Sequence, residues 1–342
     1  MSNFTMTTGT YVNHEDLLVK ISNMAISCGY IVEDYKDNIR GTAMVNKGKR
    51  LHLKKDNFFV AIAGASNANP TWIAGADTYS TNSIKSLMLS ITSTSSKDLT
   101  SWEASENRNN IKTCQIGQNN NYWFFKKNEG FLLVVQMSAR QFGFLNMLQV
   151  DTYDPANKVF SFGASTAQGA TYTAAWLALQ PGVTFSGSNN ASPGSGTGSQ
   201  NNHQLLNVNK PFNLNSAYVN HFGATRHIGG TGTYAQWNNF LLLSTADSIM
   251  RKSLSLSTGR HAMFPLEVSM TAPDIYTSNF YDPQGIIEDL YIVNFDTYNS
   301  AEQFQIENDL FIGFPLFEKT TNKTYTQQYG WGMGICIKIG TV

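Results

Sequence analysis

Apolar and polar positions near the start of the chain alternate with the period of one amphipathic helix. Apolar residues recur there at spacings of three and four: Leu17, Ile21, Met24, Ala25 and Cys28. Asn13 is a suitable N-cap, and Asp16 three residues later resembles a capping box. Gly29 supplies a left-handed stop. We therefore expect a helix over about residues 14 to 28, with its apolar stripe buried against strands of this chain or of a neighbour.

Most of the other apolar residues lie in short runs that predict β-strands. These runs are rich in aromatic and β-branched residues, and most are bounded by Gly, Asn, Asp or Ser. They are GYIVEDYK (29–36), RLHLKKDNFFVAIAGAS (50–66), SIKSLMLSITS (83–93), YWFFKKNEGFLLVVQMS (122–138), FGFLNMLQVDTY (142–153), WNNFLLLSTA (237–246), FPLEVSMTAP (264–273), GIIEDLYIVNFDTY (285–298), DLFIGFPLF (309–317) and WGMGICIKIG (331–340).

This spread of strands predicts a mainly β fold, a β-sandwich-like domain with one N-terminal α-helix and long loop insertions. Two apolar runs flank Lys126 to Gly130, which has the length of a usual hairpin loop. Residues 1–45 are expected to form an N-terminal arm and helix, and residues 46–342 a large β domain. A Gly/Ser/Asn-rich loop insertion is expected at about 186–236.

The run from Leu310 to Phe317 is too short to cross a membrane. Its first three residues are all apolar, so both faces of the strand should be buried. Pro315 has no N–H and is expected at a strand edge, bulge or end. We therefore predict a strand covered on two sides that ends or kinks near Gly313 to Pro315. The aromatic segment that follows, YGWGMG (329–334), is expected close to an interface.

Composition favours association over free diffusion as a monomer. Among 342 residues, 24 basic and 24 acidic side chains give a formal net charge of zero, and only 14% are charged. Ordinary soluble domains have about 25% charged residues, and a surface near zero charge tends to associate. Without a basic excess, a signal peptide or a long apolar run, we expect neither nucleic acid nor a membrane as partner.

Constellations of residues for catalysis are weak in the sequence. It has no GxSxG elbow, no GxxxxGK[ST] loop and no HExxH. The glycines of 194–198 do not fit the dinucleotide fingerprint, and His221 and His227 have no familiar zinc spacing. Three cysteines without a CxxC pair predict buried thiols in a reducing compartment: Cys28, Cys114 and Cys336. We expect no enzyme activity, no cofactor and no metal.

Two further groups of side chains allow a prediction. Glu288 and Asp289 are neighbours in a strand, so their carboxylates should point to opposite faces and cannot pair for acid–base work. Six scattered tryptophans leave three interpretations open, namely β core, subunit interface or glycan contact: Trp72, Trp102, Trp123, Trp176, Trp237 and Trp331.

The order of four segments along the chain resembles a known family. The segments are YVNHEDLLVKISNMAISCGYIVED (11–34), LHLKKDNFFVAIAG (51–64), the hairpin of 122–150 with an FG turn and a second FSFGAS (160–165), and a tail of FPLEVSM, GIIEDLYIVN, DLFIGFPLF and YGWGMGICIKI. In this order they look like virion structural proteins of tailed bacteriophages. Tyr30 stands where that pattern has Trp, and 186–236 matches no part of it.

The resemblance implies a non-enzymatic structural component of the phage tail, in the baseplate, that holds neighbouring subunits together by extensive packing. Alternatives are a neck, collar or fibre-attachment adaptor, a capsid decoration protein, or a receptor- or glycan-binding fibre module. It implies synthesis in a bacterial cytoplasm, several copies around the tail axis, and partners among tail tube, sheath, baseplate or fibre subunits. A depolymerase would instead favour paired carboxylates in a cleft or a repeating β-helix pattern.

Interface residues are expected in the apolar stripe of the helix and in the C-terminal apolar and aromatic segments. The expected positions are Leu17, Ile21, Phe314, Phe317, Tyr329 and Trp331.

Overall fold

The structure is a computed structural model that describes residues 3–37, 49–65, 86–98, 112–116, 120–137, 142–164, 203–212, 215–219, 263–272, 280–295, 298–315 and 333–342. Helix α1 spans His14–Ser27. The strands are β1 Thr5–Tyr11, β2 Ile31–Asp37, β3 Lys49–Lys55, β4 Phe58–Ala65, β5 Ser86–Thr92, β6 Lys112–Gln115, β7 Asn120–Lys127, β8 Gly130–Gln136, β9 Phe142–Gln149, β10 Asp151–Thr152, β11 Val159–Ala164, β12 His203–Asn207, β13 Asn215–Val219, β14 Met263–Ala272, β15 Phe280–Asn294, β16 Gln303–Ile306, β17 Asp309–Pro315 and β18 Met333–Thr341.

The strands form two antiparallel sheets. The larger sheet has 13 strands in the order β1-β7-β8-β9-β11-β12-β13-β14-β15-β18-β17-β16, with β10 paired to β15 at its side. The smaller sheet has five strands in their sequence order, β2-β3-β4-β5-β6. The expected mainly β, sandwich-like fold with one N-terminal helix is confirmed.

The two halves of the larger sheet pack face to face and enclose the first core. Strands β7, β8, β9 and β11 bury one face against β14, β15, β17 and β18. The first core includes Phe125, Leu132, Val134 and Phe144 from one half and Ile292, Ile312, Phe314 and Ile337 from the other. This arrangement is a sandwich made from one sheet that turns back on itself.

The opposite face of β7, β8, β9 and β11 closes the second core. It packs against α1 and the five-stranded sheet, and the second core includes Leu17, Ile21, Leu53, Phe58, Val60, Phe131, Leu133 and Phe160. Strand β8 therefore has a protein layer on each face. This double burial explains why its residues Phe131 to Val135 are all apolar, since alternation is needed only where one face meets water.

Helix α1 begins and ends as the sequence predicts. The Asn13 Oδ1 accepts a hydrogen bond from the Asp16 backbone N–H at 3.0 Å. The Asp16 carboxylate reaches back to the Val12 N–H at 3.0 Å, one residue before the position of a capping box. Gly29 ends the helix with φ of 81°, in the left-handed region.

The β7–β8 hairpin is tighter than the sequence indicates. Lys127 pairs with Gly130, so the turn is only Asn128 and Glu129, and the expected loop from Lys126 is too long. Asn128 has φ of 50°, which Asn tolerates better than most residues. A Cβ at Gly130 would collide with the backbone of β9, so the start of β8 requires glycine.

Strand β17 has the two-sided burial predicted for the C-terminal apolar run. Ile312 and Phe314 face the first core. Phe311 faces a separate outer cluster on the other side of the sheet, formed by Val293, Phe295, Tyr298, Phe304, Phe311 and Cys336. Pro315 is the last described residue of this strand and lies opposite Gly334 of β18.

The strand pairing adds detail to the expected organisation of the chain. In the expected N-terminal arm and helix of residues 1–45, β1 pairs with β7 and β2 pairs with β3. Within the expected insertion at about 186–236, β12 and β13 are strands of the larger sheet. Phe142 and Gly143 belong to β9, so the expected FG turn is wrong.

Several predicted segments cannot be compared with the fold. Residues 186–202 and 237–246 lie outside the described residues, as do Phe317, Tyr329 and Trp331.

Candidate functional site

Lys127 is the most chemically distinctive buried residue of the larger sheet. It is the last residue of β7, and like Phe125 it faces the other half of the sheet. Only 3% of its side chain is exposed. Since a buried charge without partners is very costly, its surroundings decide what it does.

Three carboxylates and one carbonyl surround the Lys127 ammonium. It donates to the Glu288 carbonyl at 2.8 Å and to Glu288 Oε2 at 3.2 Å. Asp289 Oδ2 and Asp151 Oδ2 each lie 3.5 Å from its Nζ. The Phe4 ring centroid lies 5.6 Å away. We call Lys127, Asp151, Glu288 and Asp289 the lysine–carboxylate cluster.

Glu288 and Asp289 reach the same lysine because β15 bulges there. Pro265 of β14 pairs with Tyr291, whereas the next residue pairs with Ile287, so the residues between them have no partner on β14. Asp289 has φ of 67°, a left-handed conformation that rotates it out of the strand pleat. The expectation that the two carboxylates point to opposite faces is therefore wrong.

Asp151 joins the cluster through the short strand β10. Asp151 pairs with Ile286 and Thr152 with Gly285. The Asp151 carboxylate also accepts a hydrogen bond from the Glu288 backbone N–H at 3.1 Å, which holds the bulge in place. A Cβ at Gly285 would lie 2.8 Å from the Thr152 Cα, so only glycine permits this approach.

The geometry of the cluster suits a clamp between layers. An ammonium has three donors and no acceptor, and here all its neighbours are acceptors. The lysine comes from one half of the larger sheet and Glu288 and Asp289 come from the other half. The cluster therefore fixes the position of the two halves relative to each other.

A second lysine joins the helix to the turns of three strand pairs. The buried Lys55 donates to the Cys28 carbonyl at the end of α1 at 2.9 Å and forms an ion pair with Glu129. Glu129 also binds Lys158 at 2.9 Å, and Lys158 binds Asp56 at 2.9 Å. The hydrogen bond from Lys55 holds the pKa of the Glu129 carboxyl below its usual value. This network also connects structural layers.

Two histidines are buried in an uncharged state. His14 is in the first turn of α1, and neither ring nitrogen has a hydrogen-bond partner in the described residues. His52 on β3 lies with Nδ1 3.3 Å from the Ser96 hydroxyl. Burial lowers the pKa of each imidazole to about 4. The Ser96 hydroxyl beside His52 is itself buried.

The cysteines are free and buried, as predicted. Burial raises the pKa of the Cys28 and Cys114 thiols above the ordinary value. A thiol of raised pKa is a poor nucleophile at neutral pH.

Three of the expected interface residues lie inside this chain's own cores. Leu17 and Ile21 belong to the second core and Phe314 to the first. The Phe314 ring lies 5.2 Å from that of Trp123 and 5.5 Å from that of Phe142, centroid to centroid. All three have no exposed side-chain surface, so they offer none to a neighbouring subunit.

Four exposed apolar residues that sequence reasoning missed lie in α1 or in the segments next to it in the sequence. Val12, Val19, Ile26 and Ile31 are 64%, 44%, 54% and 63% exposed. In the described residues the other large exposed hydrophobics are only Tyr153 and Val342. The seven-residue spacing of Val19 and Ile26 was visible in the sequence, on the side of α1 opposite to the buried stripe.

The described residues contain no group of three or more His, Cys, Asp or Glu arranged to hold a metal ion. In the same part of the chain, no helix has the length and apolar character to cross a membrane. No protein-family model matches the sequence, and the search of curated proteins found no match.

Proposed function

We propose that this chain is a non-enzymatic structural subunit of a tailed-bacteriophage particle, placed in the tail and most favourably in the baseplate. Its role is to hold neighbouring subunits by packing. The observation that carries the proposal is that two buried lysines connect separate structural layers of the subunit. Lys127 and Lys55 bind carboxylates and carbonyls of other layers, which rigidifies the subunit.

A rigid subunit of this kind suits repeated assembly. Its two cores share the strands β7, β8, β9 and β11, so a force on one sheet is transmitted to the other. Its charge is low and balanced, which favours contact with neighbours. The order of its segments, which resembles tail-particle proteins, supports a location in the virion. Copies around the tail axis would contact tail tube, sheath, baseplate or fibre subunits through ring-closing interfaces.

The test is to find the chain within purified particles of a phage that encodes it. Quantitative mass spectrometry of intact particles and of separated heads and tails should place several copies in the tail fraction. Electron cryomicroscopy should then assign it six-fold or three-fold neighbours around the axis.

Each location of the chain in the particle supports a different role. Density at the neck or at the tip of a fibre would replace the baseplate assignment by an adaptor or a receptor-binding role. Absence from purified particles would overturn the structural role altogether.

A further inference from the structure

The outer face of α1 carries a stripe that the described part of the chain leaves exposed. Val19 and Ile26 lie seven residues apart and are both exposed. Glu15 and Ser22 complete the alternating four–three spacing of a helix-packing seam. We call these four residues the α1 stripe, and the exposed Val12 lies next to it, just before the N-cap Asn13. Its apolar members are β-branched, and the small Ser22 near its centre permits close approach of another backbone.

The two ends of the α1 stripe carry opposite charges. Glu15 lies in the first turn of α1, and its carboxylate has no ion-pair partner in the described residues. At the other end Lys126 donates to the Ser27 carbonyl, and no carboxylate of the described chain pairs with it. Twelve residues at 1.5 Å rise separate Glu15 from Ser27, so the two charges are about 18 Å apart.

This arrangement is complementary to itself when it is turned around. Along α1, the midpoint between Glu15 and Ile26 is the same as the midpoint between Val19 and Ser22. A two-fold axis through this midpoint would relate two antiparallel α1 helices. Val19 then packs against the partner's Ser22, and Glu15 lies beside the partner's Ile26 and Lys126. Each copy then pairs its Glu15 with the other copy's Lys126, so the contact contains this ion pair twice, because a two-fold contact is isologous.

We infer that the α1 stripe is a contact surface for a second copy of this chain, with the two helices antiparallel across a two-fold axis. The inference rests on the proposed function in naming one partner of an assembly subunit. A net charge of zero means that two copies do not repel each other as whole molecules. A single pair of 14-residue helices is a small interface, so the dimer should form in a concentration-dependent way.

The first test removes the apolar part of the contact. Sedimentation velocity or light scattering over a concentration series should show a monomer–dimer equilibrium of the full chain. The double substitution Val19→Asp with Ile26→Asp should weaken dimerisation at least tenfold. Val342→Asp places one negative charge on an exposed valine elsewhere and should leave the dimer unchanged.

The second test reads the direction of the helices. Glu15→Lys and Lys126→Glu should each weaken dimerisation, and the double variant should restore it, because each new charge again meets its opposite on the partner. A parallel pair would bring like ends together and would show no restoration. Thermal unfolding of every variant checks that the subunit is folded.

Outcomes for this contact and for the proposed function are separable. A wild-type chain that stays monomeric at all concentrations overturns the contact, as does a dimer indifferent to the Asp pair. If that chain is nevertheless present in phage tails, the structural role stands without the contact. If the chain forms a dimer with the charge-swap pattern but is absent from particles, the contact is supported and the structural role is overturned.

Discussion

At the scale of single residues, the buried ammonium groups of Lys55 and Lys127 each bind at least two oxygen atoms. Lys127 is the more extreme of the two because three carboxylates converge on it. A buried ion pair contributes little net stability compared with apolar residues, but removing one partner leaves the others uncompensated. A substitution at Lys127 therefore lowers stability mainly because the carboxylates that remain are partly buried without a counter-ion.

Replacing Lys127 by Met should destabilise the fold by about 3 to 5 kcal/mol, because Asp289 and its neighbours lose their counter-ion. The free energy of unfolding in urea measures this loss. Lys20→Met is the matched control, since Lys20 forms a partly exposed ion pair with Asp16 at 2.8 Å. That control should cost less than about 1 kcal/mol. Equal effects of the two substitutions would contradict the clamp.

The buried histidines predict a loss of stability in mild acid. Their folded pKa of about 4 lies below the ordinary value of 6.5, so the unfolded chain binds protons first as the pH falls. Stability is complete above pH 6.5, declines between pH 6.5 and 4, and levels off below. Each histidine contributes up to about 3 kcal/mol over this window, at 1.36 kcal/mol per pKa unit.

Urea unfolding at pH 7.5, 6.5, 5.5 and 5.0 tests this slope, above the range where most carboxylates titrate. His14→Leu should reduce the slope by about half, whereas replacing the exposed Asn23 by Leu should leave it unchanged. A slope that is identical in wild type and His14→Leu would show that His14 is not responsible.

At the scale of elements, α1 has one apolar face that is buried and another that is exposed. Ile21 is fully buried in the second core, while Val19, two residues earlier, is 44% exposed. The first face holds the helix on its own chain, and the second is available for another molecule. A comparison of substitutions on the two faces separates folding from association.

Ile21→Ala should lower the free energy of unfolding by about 2 to 5 kcal/mol, since it leaves a cavity between α1 and the strands it covers. Val19→Ala should change it by less than about 0.5 kcal/mol. Chemical denaturation measured at low protein concentration, where dimerisation does not contribute, provides the comparison. A larger effect at Val19 would mean that the helix is seated the other way round.

Sequence reasoning located the elements whose pattern is strong. The helix follows from its periodicity and its caps, and β8, β9 and β17 follow from continuous apolar runs. Strand β1 was missed because TMTTGTY is mostly polar and its strand state comes from pairing with β7. The lysine–carboxylate cluster was missed because a left-handed Asp289 is a property of the bulge, which no local sequence signal indicated.

At the scale of the whole molecule, two cores share one set of strands. Leu132 and Val134 of β8 face the first core, and Leu133 and Val135 face the second. Disruption of either core should therefore weaken the other, and the protein should unfold as one cooperative unit.

Leu132→Ala removes a side chain from the first core only and should cost about 2 to 5 kcal/mol. Hydrogen exchange should nevertheless become faster in β3 and β4, whose buried side chains belong to the second core. Protection that falls only in β14, β15 and β17 would instead indicate two independently stable units.

The order of the strands predicts that the five-stranded sheet and strand β1 find their pairing partners at different times during synthesis. The five-stranded sheet is a meander in which each strand pairs with the next, so each pairing closes a shorter loop than the pairing of β1 with β7 does. Strand β1 is made first but pairs with β7, where Thr5 meets Lys126. Its backbone groups therefore stay unpaired until β7, which follows the whole five-stranded sheet in the sequence, has left the ribosome, and its docking closes a long loop late.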